Sequence, residues 1–140
     1  MKITEIKAIQ DLADCIGTDG CYFIILCAVA EKITNKEIDV LRSAWKAIEL
    51  KLIDYDLKRP RAYKNKLYVC DADAVLEMLG CEGYYIEKVD ELPKGYDGYY
   101  IVRYTLEGDT HFILPDYNSK TYSNTVANGR KSKYYLVRKR

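Results

Sequence analysis

The chain changes period at Gly80, and that change limits its fold more than any other feature of its 140 residues. Before it, apolar residues recur three or four positions apart, the spacing of one helix face. After it, segments of five to nine residues rich in Tyr, Val, Ile and Thr alternate with Gly, Pro, Asp and Asn, the pattern of strands and turns. Helices followed by strands predict an α+β fold with the helices packed on one side of an antiparallel sheet. At this length one domain is expected over 1–140, helical over about 1–80 and β over about 81–140.

Within the helical half, residues 3–14 predict a short amphipathic helix that stops before Gly17. Thr18-Asp19-Gly20 predicts a second start with Asp19 as N-cap, opening the run CYFIILCAVAEKI, whose apolar residues lie nearly all round and place it at the centre. Thr34 and Glu37 have capping-box spacing, and a third helix should run to about Leu50 with Ile38, Leu41, Ala44 or Trp45, and Ile48 inward. Residues 54–70 read as a surface connection. Asp71-Ala72-Asp73 should cap a short helix, AVLEML, that Gly80 ends. In the β half the expected strands are GYYIEKV, GYYIVRYTL, THFIL, KTYSNTV and KYYLVRK, joined in sequence, with Asn128-Gly129 as a type I′ turn between the last two.

Composition excludes several classes. The longest nearly uncharged apolar run, Cys21 to Ala30, is half of the roughly 20 residues a spanning helix needs, so no membrane segment is expected. The charged start Met1-Lys2-Ile3-Thr4-Glu5 is unlike a signal peptide, making the cytoplasm the default compartment. Five cysteines without a Cys-x-x-Cys pair suit neither a disulfide framework nor a thiolate zinc site. No phosphate-binding loop or paired-carboxylate motif occurs, and no cofactor is expected. The net charge of +1 conceals a +6 end: Arg130, Lys131, Lys133, Arg138, Lys139 and Arg140 leave −5 on the other 129 residues. With ten of fourteen tyrosines after residue 83, this end permits nucleic-acid contact by stacking and phosphate pairing. The plainer expectation is a solvated terminal strand with a frayed end.

Chemistry is concentrated at two places. Cys21 follows a glycine at the start of a buried helix, where unpaired amides and the helix dipole favour a thiolate. His111, the only histidine, opens a strand after the Glu107-Gly108 turn, where an imidazole beside that helix start could serve as base. The ordinary alternatives are a buried thiol and a structural histidine. Gly20-Cys21 early in the chain and His111-Phe112-Ile113-Leu114 late in it resemble the papain-like cysteine peptidases, particularly the small bacterial peptidase domains that process bacteriocins. The Gly-Cys-Tyr-Phe start and the Asn-Gly near the end are also similar to small proteins of bacterial and phage genomes.

The papain-like resemblance implies cleavage of a peptide or isopeptide bond, with Cys21 as nucleophile, His111 as base and a peptide or protein substrate. An Asn or Asp after the histidine would orient the imidazole; Asn124 is favoured by strand spacing and Asp116 by charge, with Asn118 a further candidate. One position departs from the pattern. Where such peptidases usually carry a Gln six residues before the nucleophile, this chain has Cys15. The other reading is therefore a papain-like protein without activity, of phage origin by the second resemblance, that binds a protein or nucleic acid through its tyrosine-rich sheet and basic end.

Overall fold

In the computed structural model the described residues are 2–58, 66–115 and 124–140. Helices α1 (Ile3–Asp19), α2 (Cys21–Thr34) and α3 (Val40–Glu49) come first. The short strands β1 (Ile53–Tyr55) and β2 (Leu67–Val69) follow and pair antiparallel, then helix α4 (Ala72–Met78). A four-stranded antiparallel sheet completes the chain, with β3 (Tyr84–Val89), β4 (Tyr100–Leu106), β5 (Asp109–Ile113) and β6 (Arg130–Lys139), and α5 (Asn124–Asn128) between the last two. The α+β class holds, with helices first and antiparallel sheets later, although β1 and β2 precede Gly80 and α5 follows it.

Helix α2 is the centre because little on it is polar. Phe23, Leu26, Val29 and Ala30 have no exposed surface, and Ile25, Cys27 and Ala28 are also buried. Burial pushes the Cys27 thiol up to about 12, so it stays a neutral, inert packing group. Around α2 lie Leu12, Cys15 and Ile16 from α1, Ala44 and Ala47 from α3, Val75 and Leu76 from α4, and Ile101, Leu114, Tyr135 and Val137 from the sheet side.

Several local expectations are corrected. Helix α1 runs through Gly17 to Asp19, and the break falls at Gly20, where α1 and α2 meet at 88°. Asp19 does not cap α2; it ends α1, and its Oδ2 accepts the Lys66 amide at 3.0 Å, tying the base of β2 to the helix corner. Thr34 does not open α3. Its hydroxyl donates back to the Ala30 carbonyl at 2.7 Å, Asn35 closes α2 in the left-handed region, and Asp39 caps α3 by accepting the Arg42 amide. On α3 it is Ala44 that faces the core, while Trp45 is 45% exposed and donates to Glu49. Part of the 54–70 connection forms β1 and β2. Helix α4 matches expectation, with Asp71 accepting the Ala74 amide.

The strands do not follow one another in space. The order is β3-β6-β4-β5, so the basic C-terminal segment is an inner strand paired on both sides. Tyr135, Leu136 and Val137 are buried there. The expected solvated end is thus the middle of the sheet. Residues 120–123 of the KTYSNTV strand lie outside the described residues, and 124–128 are helical. Asn128 therefore ends α5 instead of making a type I′ turn. The two-residue turn of that kind is Glu107-Gly108, both at positive φ (50° and 87°), joining β4 to β5 at the Leu106 and Asp109 pair. Among the described residues no single helix is long and apolar enough to cross a membrane.

Candidate functional site

A cleft of about 510 Å³ opens between the start of α2, the β1–β2 hairpin with the first turn of α4, and the sheet. That size lies within the range of ordinary ligand sites. Asp19, Cys21, Tyr22 and Phe23 form the helix-corner wall, and residues 67–73 form the opposite one. Ile86 and Lys88 of β3, Tyr135 of β6, Arg103 of β4, and Thr110 and Phe112 of β5 form the floor.

An aromatic cluster sits at the join of wall and floor. Tyr22 stacks on Phe112 with centroids 4.5 Å apart and planes at 19°, and the Tyr135 ring lies 5.5 Å from each. Burial drives the Tyr22 hydroxyl far above the usual phenol range, so it stays protonated. Lys88 Nζ lies 5.3 Å from the Tyr135 ring centroid. Arg103 is aimed by a bulge: the register between β4 and β6 shifts at Arg103 and Tyr104, placing Ser132 as the extra residue. The Ser132 hydroxyl accepts from Arg103 Nε at 2.9 Å and donates to the Arg103 carbonyl at 3.1 Å.

Cys21 is the first residue of α2 and lines this cleft. Burial pushes its thiol above the ordinary value of 9.0, outweighing hydrogen bonding from the backbone amides of Phe112, Tyr22 and Cys21 itself, which favours the thiolate; the Asp19 charge adds to the rise. An activated nucleophile needs the opposite balance. No imidazole is among the groups that act on the sulfur.

His111 follows from strand geometry. Successive side chains on a strand point to opposite faces, and Thr110 and Phe112 both line the cleft. His111 between them, level with Tyr104 across β4, is directed to the other face. It is half-buried, and burial lowers its pKa below the ordinary 6.5, with no carboxylate or thiolate among the described residues raising it. The structure thus brings Cys21 beside the backbone of β5 and not beside the imidazole. Asn124 is in α5, which packs on β4 and β5, and not on a following strand. Asp116 and Asn118 lie outside the described residues. Cys15 is buried, with its thiol also pushed up by burial and by Asp19.

Among the described residues no group of three or more His, Cys, Asp and Glu side chains is arranged to hold a metal ion. Among the residues that build the cleft beside Cys21 are Tyr22, Lys88, Arg103, Phe112 and Tyr135. A signal for Arg103 was present in YIVRYTL, where it alternates with the core residue Ile101 and so shares its face. Comparison with protein-family models, with curated proteins and with solved structures finds no match for this chain.

The corner that presents Cys21 depends on Gly20. A Cβ there would lie 2.6 Å from the Ile16 carbonyl oxygen and 2.8 Å from Ile16 Cα, both backbone atoms of α1. Gly20→Ala is expected to open the 88° corner and destabilise the fold by about 1–3 kcal/mol, the usual cost of overpacking. Urea unfolding measures it. A loss near zero would mean that α1 is not fixed at this corner.

Proposed function

We propose that this chain is a non-catalytic binding protein that holds a peptide or small ligand in the cleft beside Cys21, on a papain-like plan without a working Cys-His pair. One observation carries the reading: Thr110 and Phe112 share the cleft with Cys21, so His111 faces away from it. The raised Cys21 thiol agrees, since a neutral thiol is a wall residue. The chain order of helix-start cysteine, helices and late strand histidine supports the scaffold.

The cysteine-hydrolase reading is second. It is favoured by the sulfur at a helix start with three backbone amides directed to it, but it requires His111 to turn to the other face of β5. The chain is expected to hydrolyse 4-nitrophenyl acetate no faster than its Cys21→Ser variant. A burst of nitrophenol lost in both Cys21→Ser and His111→Ala would overturn the binding-only reading in favour of the hydrolase.

A further inference from the structure

The charges around the cleft are not equivalent. Asp71 and Asp73 line one wall, and each has an oxygen committed to backbone: Asp71 Oδ1 accepts the Ala74 amide at 3.0 Å and Asp73 Oδ1 the Ile86 amide at 2.8 Å. The first caps α4; the second covers an amide of β3, an outer strand of the sheet. These carboxylates have structural work that accounts for them.

The cations on the floor have no such account. The register sets Lys88 of β3 opposite Tyr135 of β6, and Arg103 of β4 opposite Lys133 of β6. Lys133 is paired with Asp90. Lys88 lies over the Tyr135 ring, and Arg103 is braced at Nε by the Ser132 hydroxyl of the bulge. Holding a guanidinium at one nitrogen fixes the plane in which its other donors can meet a carboxylate or phosphate. Between and beside these two cations lie the rings of Tyr135, Phe112 and Tyr22, within 5.5 Å of one another by centroid.

We propose that the cleft takes an anionic ligand carrying a flat aromatic part: its carboxylate or phosphate meets Arg103 and Lys88, and its ring packs against the Tyr22, Phe112 and Tyr135 cluster. This rests on the cleft being the binding site. A carboxylate can come from an aromatic acid or from the end of a peptide, and a phosphate from an aryl phosphate or a phosphotyrosine; the shared chemistry is an anion at the reach of one ring from an aromatic wall.

The test is a titration of the ¹⁵N-labelled full chain with phenyl phosphate and 4-hydroxyphenylacetate, with neutral 4-hydroxyphenylacetamide and cationic tyramine alongside, followed by amide shifts. Both anions should shift the amides of Tyr22, Lys88, Arg103 and Phe112 saturably, and the neutral and cationic probes should not. Arg103→Gln should weaken anion binding about tenfold or more, Arg103→Lys should keep part of it, and Lys131→Gln, an exposed cation on β6, should leave it unchanged. Unchanged thermal unfolding in Arg103→Lys shows that the bulge survives. Tyramine or the amide moving the cleft amides as strongly as the anions would overturn the ligand class while leaving the site. Anions that bind only elsewhere, or no probe that moves the cleft amides, would overturn the site itself.

Discussion

A chain ending at Lys133 is expected not to fold. Residues 134–139 are the whole partner of β3, from the Tyr84 and Lys139 pair to the Val89 and Tyr134 pair, and Tyr134 to Leu136 also pair with Val102 to Tyr100 of β4. Their removal strips Tyr135, Leu136 and Val137 from the core. It also removes the Val137 carbonyl that accepts the Tyr96 hydroxyl at 2.8 Å, and the Val137 amide that donates to Tyr99 at 3.0 Å. Each buried aliphatic or aromatic side chain contributes about 1.5–3 kcal/mol, against a total stability of roughly 5–15 kcal/mol. Thermal unfolding followed by circular dichroism should show no cooperative transition for the truncated chain. A transition within a few degrees of the full chain would mean that the basic segment is a surface tail after all.

The largest single-residue effect is expected at Phe23. Its side chain is fully buried on α2, directly after Cys21 and Tyr22 in the wall of the cleft. Phe23→Ala removes a ring from the middle of the core, where the surrounding helices and sheet restrict collapse into the space. The expected loss is about 3–5 kcal/mol, which leaves a domain of ordinary stability marginal. The midpoint of urea unfolding measures it. Lys32→Ala on the same helix, exposed and near its end, serves as the control and should change stability far less. A Phe23→Ala loss below about 1 kcal/mol would contradict a core centred on α2.

What was legible in the sequence divides along range. Apolar residues all round α2 stated its central place, and Asp71 ahead of an apolar run stated the start of α4, because both signals are local. Thr34 and Glu37 misled because the Thr34 hydroxyl had a nearer partner in the Ala30 carbonyl, after which Asp39 was the first residue able to cap α3. The sheet order was not legible: β3 and β6 are separated by two strands and a helix, and nothing in KYYLVRK says which neighbour its backbone will meet. The β-type composition of residues 124–126 gave way to helix α5, an instance of context overriding propensity.

The candidate site divides in the same way. Cys21 at a helix start was readable, and it lies in a cleft. The face of His111 was readable too, through its neighbour, since an aromatic residue packed toward the helices at 112 sends 111 the other way. The bulge at Ser132 that aims Arg103 arises from a pairing between distant strands, and no local pattern announces it.

The proposal that Cys21 and His111 form no ion pair is tested most directly by the rate of alkylation of each cysteine with iodoacetamide from pH 5 to 10, read by mass spectrometry. With its thiol raised above 9.0 by burial, Cys21 holds less thiolate at every neutral pH than an ordinary cysteine. Its rate should be slower than that of exposed Cys70 at pH 7, should climb through pH 9 without an earlier plateau, and should be the same in His111→Ala. A plateau of fast Cys21 labelling between pH 5 and 8 that disappears in His111→Ala would contradict the account and restore the nucleophile.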